Sequence, residues 1–530
     1  MIKLKLSEEN FEYDVRGLLM AFFPGEEITT KPEADAARQL EVIYGDDTIR
    51  LSFCGGEGEA ARWTEVPVRE SLSENRAGLQ TDGDQADKNA MQVDSDELWI
   101  DSGKAQTAQV ISDSELRKLT KSALKRGVYH LLSEYTGKEL PWGTLTGIRP
   151  TKIAMALLEE GASDEDIARH MKQVYLTGDE KTDLSIEIAK RERDILKDID
   201  YENGYSLYIG IPFCPTTCLY CSFTSYPMGK WAGRMDEYLD ALFKEIDYTA
   251  EAFKEKKLNT VYIGGGTPTS LSAEQLDRLL NKVEENFDFS WCQEFTVEAG
   301  RPDSITKDKL VAIRHHKVSR ISINPQTMKQ ETLRLIGRRH TVEQIKEVYG
   351  LARNLGFDNI NMDLILGLPG ENIDDVRHTM EELKTMAPDN ITIHSLAIKR
   401  AARLNLEWDK YESLLMENSS EVMGLTERYC RSMGLEPYYL YRQKNMAGNF
   451  ENVGYALPGK AGIYNILIME EKQSIVALGA GSTSKAVFPG GRIERADNVK
   501  DVELYMSRID EMIERKKQLY GGEKNGTEIE

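Results

Sequence analysis

The feature that most constrains the fold is a series of six short β-rich segments between residues 205 and 400, with amphipathic helical patterns between them. The segments lie at residues 206–211, 260–263, 294–298, 319–324, 359–366 and 390–395. The clearest helical pattern, at 272–287, places Leu276, Leu279 and Val283 on one face. Strands that alternate with helices are typical of a parallel α/β sheet, either open and doubly wound or closed into a full or partial barrel. In each case the loops that follow the strands carry the functional site.

Two further regions flank this series, so we predict three domains. Residues 1–200 should form an N-terminal α+β domain, 201–400 the strand and helix series, and 401–530 a smaller C-terminal α+β region. The N-terminal patterns predict helices at 13–23, 112–135 and 151–160, at least two more within 163–196, and a hairpin at 40–53. Residues 71–97 contain seven acids and two bases, which indicates a flexible acidic insertion. The C-terminal patterns predict a helix at 408–433, a β-rich stretch at 438–478 and a charged terminal helix.

The composition excludes several classes of protein. A chain of 530 residues with 40% hydrophobic and 29% charged residues is typical of globular proteins. Its net charge of −21 argues against a general nucleic-acid binder. No uninterrupted apolar run reaches about 18 residues, so we expect no membrane span. Six cysteines are too few for a disulfide framework, and residues 1–10 lack the apolar run of a signal peptide, which together predict a cytoplasmic location.

Half of the six cysteines lie within eight residues, at Cys214, Cys218 and Cys221, directly after the first strand of the series. Pro212 and Pro215 prevent a helix or a central strand here, so the chain must form a loop in which three thiolates converge. Three soft ligands suit zinc or an iron–sulfur cluster. A structural zinc site needs a fourth ligand, and the other cysteines are isolated in the sequence. A zinc-stapled interaction protein therefore stays an alternative to a cluster with one open metal position.

Two further features occur where strands end. After the second strand comes Gly264-Gly-Gly-Thr-Pro268, whose glycines let the backbone approach a ligand closely. This segment lacks the Gly-Lys-Ser/Thr ending of a phosphate-binding loop and the last glycine of a dinucleotide fingerprint. The next four strands end at or near Glu298, Gln326, Asp363 and Ala397. Ligand contacts belong at such strand ends, although each residue by itself is more typical of a solvated loop or a helix cap.

Cysteines spaced CX3CX2C in the loop after the first of six βα units resemble the radical S-adenosylmethionine (SAM) superfamily. Further segments resemble the oxygen-independent coproporphyrinogen III oxidase (dehydrogenase) family. These are Tyr208-Ile-Gly-Ile-Pro-Phe-Cys214, Gly264-Gly-Gly-Thr-Pro-Thr269, Val297-Glu298, Pro325-Gln326, Ile336-Gly-Arg338, Asn361-Met-Asp-Leu-Ile-Leu-Gly-Leu-Pro369 and Leu478-Gly479. The resemblance covers residues 205–484, and residues 436–446 together with the long N-terminal region resemble the HemZ-type branch.

The resemblance implies a partial (βα)6 radical SAM barrel that binds a 4Fe–4S cluster and SAM, with a second SAM position possible. Cys214, Cys218 and Cys221 are then the metal ligands. The residues in register with the family's SAM contacts are Tyr208, Gly265, Gly266, Thr267, Glu298, Gln326, Arg338, Asp363, Ala397 and Thr483. Tyr208 and Arg442 are the candidate catalytic residues.

The reaction that the resemblance implies is oxidative decarboxylation of coproporphyrinogen III propionates to vinyl groups, which forms protoporphyrinogen IX for haem biosynthesis. An unidentified electron donor and an unidentified acceptor are the implied partners. Because this tetrapyrrole substrate is an anion, basic residues must gather locally, and candidates are Arg338, Arg339, Lys399, Arg400, Arg403, Arg442 and Lys444. The stretch around Arg442 is equally consistent with a β-strand that has a solvated basic face.

An alternative function is haem binding or haem delivery without oxidase activity. The best-known members of the family carry a histidine two residues after the tyrosine of the first strand, and this chain has Gly210 there. This departure and the unusual N-terminal region keep the carrier function open beside the enzymatic one.

Overall fold

The computed structural model describes residues 1–56, 58–68, 112–147, 149–399, 401–414, 416–442 and 450–521. The predicted acidic insertion at 71–97 and the candidate basic residues Arg400 and Lys444 lie outside the described residues. Two compact units are present. The first contains the described residues up to 193 and those of 441–451, and the second contains the described residues of 194–440 and 452–521. Within the described part of the chain, none of the helices is both long and apolar enough to cross a membrane.

The first unit is built on a five-stranded sheet with strand order β2-β1-β3-β4-β5. Its strands are β1 (Ile2–Leu6), β2 (Ile28–Thr29), β3 (Arg38–Tyr44), β4 (Thr48–Cys54) and β5 (Arg62–Pro67). Its helices are α1 (Glu12–Phe22), α2 (Asp113–Thr136), α3 (Thr151–Glu159), α4 (Asp164–Tyr175) and α5 (Asp179–Leu196), and the boundary between the units falls within α5. The predicted hairpin is confirmed by the antiparallel pairing of β3 with β4. A capping box of Ser112 and Glu115 begins α2, because the serine hydroxyl and the glutamate each accept an amide hydrogen bond at the helix start.

The second unit contains the other strands and helices, apart from Tyr441 at the end of β14, which belongs to the first unit. The strands are β6 (Gly204–Ile211), β7 (Phe213–Cys214), β8 (Tyr226–Pro227), β9 (Lys257–Gly265), β10 (Glu294–Gly300), β11 (Arg320–Ile323), β12 (Ile360–Leu366), β13 (Asn390–Ser395), β14 (Glu436–Tyr441), β15 (Asn452–Ala456), β16 (Ser474–Leu478), β17 (Thr483–Val487) and β18 (Ile493–Asp497). The helices are α6 (Met235–Ala252), α7 (Ala273–Asn286), α8 (Lys307–Arg314), α9 (Gln330–Leu335), α10 (Val342–Asn354), α11 (Ile373–Met386), α12 (Arg403–Leu406), α13 (Ser420–Ser432), α14 (Ile463–Glu470), α15 (Val502–Ser507) and α16 (Ile509–Gly521).

The six predicted strands of the series lie side by side in one sheet. The order β6-β9-β10-β11-β12-β13 follows the chain, and every neighbouring pair is parallel. Their side chains are buried along almost the whole length of each strand, as expected when helices cover a parallel sheet. Because β14 and β18 form two separate edges of the eleven-stranded sheet, the sheet is an open, partial barrel. The predicted α/β fold class with a partial (βα)6 barrel is thereby confirmed.

The clearest predicted helix, at 272–287, is confirmed as α7 and shows why the pattern was strong. The Ser272 hydroxyl accepts a hydrogen bond from the Gln275 amide at 3.1 Å, and the Gln275 side chain accepts one from the Ser272 amide at 3.1 Å. This capping box fixes the start of the helix. Leu276, Leu279 and Val283 are fully buried beneath it, so the apolar stripe faces the core as predicted.

Two C-terminal predictions are wrong. The range predicted as one helix, 408–433, contains a 3-10 turn at Trp408–Lys410 and the helix Ser420–Ser432, and residues 411–414 and 416–419 between them are not helical. The Ser419 hydroxyl accepts a hydrogen bond from the Val422 amide, so this serine caps a new helix where we expected a continuous one. The β-rich stretch predicted at 438–478 is interrupted by α14, whose apolar residues pack as a helix because the core, rather than β propensity, decides their conformation.

The residues predicted to form a separate C-terminal region contribute strands to the barrel sheet. β16 pairs in parallel with β6, and β15 pairs antiparallel with β13. Strands from both sides of residue 400 are therefore hydrogen-bonded into one sheet within a single compact unit. The C-terminal region thus extends the sheet on both flanks of the six-stranded series.

A buried ion pair fixes the loop that follows β16. Glu245 and Lys516 are 0% and 1% exposed, and their Oε1 and Nζ atoms are 2.6 Å apart. Glu245 also accepts hydrogen bonds from the Gly479 amide at 2.8 Å and from the Tyr505 hydroxyl at 2.6 Å. Gly479 has a φ of +94°, and a Cβ there would lie 2.3 Å from the carbonyl oxygen of Gly210 in β6. The ion pair therefore holds a glycine turn tightly against the first strand of the barrel.

Replacing Lys516 with methionine should destabilise the second unit by about 3 kcal/mol, because Glu245 would stay buried without its cationic partner. We expect the double variant Glu245→Gln/Lys516→Met to recover part of this loss, since it carries no unpaired buried charge. Urea unfolding followed by circular dichroism measures both effects. Equal destabilisation of the single and double variants would contradict a role for the uncompensated charge.

Candidate active site

The cysteine loop follows the first strand of the barrel and is held by backbone hydrogen bonds. Cys214 ends β7, and Cys218 and Cys221 lie in the turn that follows. The Leu219 amide donates to the Ile336 carbonyl at 3.0 Å, and the Cys221 amide donates to the Cys218 carbonyl at 3.2 Å. The loop therefore has a defined conformation that its thiols do not themselves maintain.

The thiols of Cys214 and Cys218 lie beside polar side chains. The Sγ of Cys214 lies 3.3 Å from the Thr267 hydroxyl, and Nη1 of Arg301 lies 3.6 Å from the Sγ of Cys218. Burial raises the pKa of Cys214 to about 11, the Thr267 hydrogen bond and Arg301 oppose this rise, and Cys221 and Cys218 add to it. Burial likewise raises the pKa of Cys221. The charges of Cys218 and Cys221 contribute to the raised pKa of Cys214, as expected for thiols that lie on one loop.

The donor set fits an iron–sulfur cluster. Three soft thiols on one loop can each bind a different iron of a cluster, with a cationic guanidinium beside one sulfur. Among the described residues, no group of three His, Cys, Asp or Glu side chains lies close enough together to hold a single metal ion. Metal binding displaces the thiol proton, so the raised pKa values are those of the protein before a metal is bound.

The glycine segment after β9 lies directly against the chain that leads into the cysteine loop. The Gly266 amide donates to the Ile211 carbonyl, and the Thr267 amide donates to the Phe213 carbonyl, both at 2.8 Å. A Cβ at Gly266 would lie 2.7 Å from the Phe213 oxygen, which is closer than real Cβ atoms come. Gly265 has a φ of +104°, where side chains are strained. The segment therefore requires glycine, and its backbone is available to a ligand beside Cys214.

Three tyrosines stack next to the glycine segment. The ring centroids of Tyr208 and Tyr262 are 6.2 Å apart, and those of Tyr262 and Tyr464 are 4.5 Å apart. Tyr208 and Tyr262 are direct neighbours across the parallel strands β6 and β9. A Cβ built on Gly265 would lie 3.3 Å from the Tyr208 hydroxyl. Tyr208, a candidate catalytic residue, therefore borders the glycine segment.

Glu298 is the acidic centre of the barrel interior. Its Oε1 accepts a hydrogen bond from the Tyr262 hydroxyl. Burial raises the pKa of Glu298 to about 7, and the negative charge of Asp363 adds to the rise while Tyr262, Arg320 and His394 oppose it. A glutamate in this state changes its charge near neutral pH. It can accept a hydrogen bond from a bound ligand when ionised and donate one when protonated.

The pKa of Asp363 is shifted in the opposite direction to that of Glu298. Burial favours the neutral acid, but the hydrogen bonds and charges of His394, Asn361 and Arg320 hold the pKa of Asp363 below its ordinary value. The Asn361 amide group donates to Oδ1 at 2.7 Å, and Nε2 of His394 lies 3.8 Å from the same oxygen. The two carboxyl groups of the interior thus have different proton affinities, and Asp363 stays ionised at neutral pH.

The pKa of Glu298 predicts a pH dependence of stability. Since this pKa rises from 4.5 to about 7 on folding, the folded protein binds more protons than the unfolded chain in this interval, and stability falls as the pH rises from 4.5 towards 7. Replacing Glu298 with glutamine should remove this pH-dependent decrease in the free energy of unfolding, which we expect to be about 2 kcal/mol. Melting temperatures of both proteins between pH 5 and 8 provide the test, and parallel pH curves would contradict it.

Gln326 is held in a strained conformation after β11. It has a φ of +68°, a region that favours glycine, while its amide donates to the Asp363 carbonyl at 2.9 Å. The side chain is buried, and its Oε1 has no hydrogen-bond partner in the protein. Backbone strain and an unsatisfied buried oxygen at one strand end are together characteristic of a ligand-binding position.

Arg338 lies close to the cysteine loop. Its Nη1 donates to the Asn324 carbonyl at 2.6 Å, and its Nη2 lies 3.4 Å from the Tyr220 hydroxyl. Tyr220 is the residue before Cys221. The Nε of Arg338 is buried without a hydrogen-bond partner. Arg338 can therefore contact the cysteine loop and donate a hydrogen bond to a bound ligand at the same time.

The other predicted site residues occupy three different settings. Ala397 follows β13 and is half-buried, as expected for a strand-end position. Thr483 begins β17, is exposed, and donates its hydroxyl hydrogen to Asp497 at 2.5 Å. Arg442 belongs to the first unit, where its Nη1 donates to the Leu145 carbonyl at 2.5 Å and its guanidinium lies 5.6 Å from the Trp142 ring centroid. Burial lowers the pKa of Arg442 to about 10.

Among the described residues, five that belong to the site were not predicted from the sequence. They are Tyr262, Arg301, Arg320, His394 and Tyr464. Tyr262 and Arg301 carried a usable signal, because one lies two residues before the glycine segment and the other immediately follows a strand that ends in a glycine. Tyr464 comes from a helix in the stretch that we predicted as β-rich, so no pattern in the sequence placed it beside Tyr262.

A parallel βα sheet whose first loop carries three converging thiols, beside a glycine segment, defines a radical SAM protein. The model of the radical SAM superfamily matches residues 208–383. The cofactors are accordingly a 4Fe–4S cluster and SAM. The chain belongs to the family of oxygen-independent coproporphyrinogen III oxidase-like proteins of the HemZ type. It is 43% identical over 411 residues, 77% of this chain and 82% of the relative, to the oxygen-independent coproporphyrinogen-III oxidase-like protein HemZ of Bacillus subtilis.

Other relatives carry two kinds of name. The heme chaperone HemW of Lactococcus lactis is 30% identical over 287 residues, which cover 52% of this chain and 69% of the relative. The oxygen-independent coproporphyrinogen III oxidase of Salmonella typhimurium is 33% identical over 196 residues, 37% of this chain and 42% of the relative. Among solved structures, coproporphyrinogen III oxidase (HemN) from Escherichia coli matches with a TM-score of 0.49 and 24% identity, over 61% of this chain and 73% of that chain.

Proposed function

We propose that this protein catalyses the oxygen-independent oxidative decarboxylation of coproporphyrinogen III propionates to vinyl groups. The observation that carries the proposal is its 43% identity to a coproporphyrinogen-III oxidase-like protein over most of both chains. The polar barrel interior supports it, because Glu298 of β10, Asp363 of β12 and Gln326, which follows β11, lie on neighbouring strands of the parallel sheet on which a radical SAM protein binds its ligands.

Each conversion removes one hydrogen atom from the β-carbon of a propionate and then releases carbon dioxide and one electron. When bound, the reduced cluster and SAM supply the radical that takes the hydrogen atom. The electron that remains passes to an acceptor, and the product carries a vinyl group. The protein's own residues must bind and orient both molecules and keep water and competing hydrogen donors from the radical.

We assign the residue roles as follows. The cysteine loop holds the cluster through Cys214, Cys218 and Cys221. The residues that hold SAM are Tyr208, Gly265, Gly266, Thr267, Glu298, Gln326, Arg338, Asp363, Ala397 and Thr483. The tight contact of Gly266 with Phe213, the strained backbone of Gln326 and its unpartnered Oε1 support these assignments for the glycine segment and for Gln326.

Arg442 is our candidate for contact with a substrate propionate. Its guanidinium is a planar donor suited to a carboxylate. We expect Arg442→Ala to raise the KM for coproporphyrinogen III at least about tenfold while SAM cleavage in the absence of substrate stays near the wild-type rate. Because Arg442 is buried against Trp142, the melting temperature must be measured alongside. Equal loss of substrate turnover and of SAM cleavage would contradict this role.

We further propose that the protein works in the cytoplasm. Three cysteine thiolates that bind iron need a reducing compartment, and the described helices include no candidate membrane span. An electron donor and an acceptor are required as partners, since each vinyl group formed needs one reduction of the cluster and one oxidation of the substrate radical.

A second candidate function is haem binding or delivery, which the similarity to a heme chaperone HemW favours. An anaerobic assay of the reconstituted protein with SAM, a reductant and coproporphyrinogen III distinguishes the two. Protoporphyrinogen IX and released carbon dioxide support the proposed enzyme. Tight haem binding without turnover of coproporphyrinogen III would refute it in favour of the carrier.

A further inference from the structure

A strongly basic pocket of about 540 Å³ lies beside the cysteine loop. Four arginines, Arg334, Arg338, Arg339 and Arg403, line it together with Thr216 and Thr217. Among the described residues that line it, none has an acidic side chain. A concave surface with four guanidinium groups attracts anionic partners, because the field of like charges adds up in a cleft.

The charges of this pocket are incompletely balanced by the protein. Arg334 and Arg339 are exposed, and among the described residues neither has an acidic side chain within 4.0 Å. Arg403 pairs with Glu407 at 3.3 Å, outside the pocket lining. Arg338 is 6% exposed, and its Nε is buried without a hydrogen-bond partner. Clustered cations without enough counter-charge repel one another. An anion that enters the pocket therefore lowers the electrostatic repulsion between the guanidinium groups.

One wall of the pocket is the cysteine loop itself. Thr216 and Thr217 lie between Cys214 and Cys218, and the Thr216 hydroxyl donates to the Gly337 carbonyl at 3.0 Å. The Thr216 carbonyl accepts a hydrogen bond from Nη1 of Arg301 at 2.8 Å, and the same Nη1 lies 3.6 Å from the Sγ of Cys218. The pocket is therefore one or two residues away from the proposed iron ligands.

Among the described residues that we assign to SAM, Arg338 is the one that lines the pocket. Tyr208, Glu298 and Asp363 belong to strands β6, β10 and β12, and none of the lining residues comes from these strands. An anion in the pocket would thus contact the cysteine loop and the segment 334–339 rather than the centre of the barrel. This placement suits a partner that acts on the cluster more than a substrate that reacts inside the barrel.

We propose that the arginine pocket is the docking site for the acidic surface of a one-electron carrier protein that reduces the cluster. One electron passes from the reduced carrier to the cluster, so the carrier is oxidised by one electron and the cluster is reduced by one. Electron tunnelling weakens steeply with distance, which favours docking against the loop that holds the irons. Because the chain carries a net charge of −21, an acidic carrier needs a local basic surface to approach it. The inference depends on the radical SAM cofactors and not on the tetrapyrrole substrate.

The test uses the full chain with its cluster and a flavodoxin as the acidic carrier. The variant Arg334→Gln/Arg339→Gln/Arg403→Gln removes three pocket charges and leaves Arg338 in place. Lys244→Gln/Lys256→Gln/Lys307→Gln is the matched control, since these lysines are exposed, do not line the pocket and give the same charge change. We expect the pocket variant to bind oxidised flavodoxin at least about tenfold more weakly at low ionic strength, and the control to bind within about twofold of wild type.

Formation of 5′-deoxyadenosine provides the second measurement. With reduced flavodoxin as the donor, the pocket variant should be slowed by a similar factor, and with dithionite it should match wild type. Unchanged flavodoxin binding in the pocket variant would overturn the proposal. Equal losses with both reductants would also overturn it, because the arginines would then serve the cluster or SAM. Normal flavodoxin binding with a raised KM for coproporphyrinogen III would assign the pocket to the substrate instead. Neither binding nor SAM cleavage requires a tetrapyrrole, so failure of the proposed function would leave this test valid.

Discussion

Replacing Cys218 with alanine should abolish assembly of the 4Fe–4S cluster while the chain stays folded. The cysteine loop is fixed by backbone hydrogen bonds, from Leu219 to Ile336 and from Leu404 to Leu219, which do not involve the thiol. Removing one sulfur from a buried position costs about 1 kcal/mol of stability, far less than the loss of one of three protein ligands costs in cluster binding. SAM cleavage should fall below detection.

The measurement is the visible absorption and iron content of the anaerobically reconstituted variant, with its melting temperature as the test of folding. Cys430→Ala is the matched control, because Cys430 is fully buried in α13 and lies outside the cysteine loop. We expect the control to bind iron like the wild type and to melt slightly earlier. Retention of a four-iron absorption band in the Cys218 variant would show that the loop does not hold the cluster as assigned.

The sequence predicted the barrel well because each part of it depends on local signals. The six strands are short apolar runs separated by amphipathic helices, and α7 carries both a capping box and an apolar stripe. Cys214 and the glycine segment were recognisable because the chemistry of a thiolate site and of a close backbone approach each needs particular residue types. In the structure, the Thr267 hydroxyl and the Cys214 sulfur then meet at 3.3 Å, which joins two motifs that are separate in sequence.

The errors arose where tertiary packing decides the structure. Residues 463–470 are rich in β-branched and aromatic residues, yet they form α14, whose Tyr464 stacks on Tyr262 at 4.5 Å. Nothing local in the sequence indicates that β16 pairs with β6, because the two strands are more than 260 residues apart. Arg442 shows the same limit: its charge was visible in the sequence, but its burial against Trp142 was not.

The opposite pKa shifts of Glu298 and Asp363 could not be predicted from the sequence either. Glu298 and Asp363 are both acids that the sequence predicts at or near strand ends, and the sequence offers no reason to treat them differently. In the fold, burial dominates at Glu298 and raises its pKa, whereas His394 and Asn361 lower that of Asp363. A difference of this kind depends on neighbours supplied by other strands, and Arg320 and His394 were not among the predicted site residues.

Replacing Gly266 with alanine should disrupt the site as severely as the loss of a cysteine. The added Cβ would lie 2.7 Å from the Phe213 carbonyl oxygen and 2.9 Å from that of Ile211. Both are backbone atoms of the segment that leads into Cys214, so the contact cannot be relieved by rotating a side chain. The segment must move away, and the 2.8 Å hydrogen bond from the Gly266 amide to Ile211 must lengthen with it. We expect iron content and SAM cleavage to fall at least about tenfold, because Cys214 leaves its place beside Thr267.

Gly350→Ala is the control for this prediction, since a Cβ there meets no atom within 4 Å and the position lies inside α10. Alanine in the interior of a helix is more favourable than glycine by about 1 kcal/mol, so this variant should bind iron normally and melt later than the wild type. The Gly266 variant should melt earlier, by the cost of the backbone displacement. If it instead bound iron and cleaved SAM at the wild-type rate, the glycine segment would have room beside the cysteine loop, and its assignment to the cofactor site would fail.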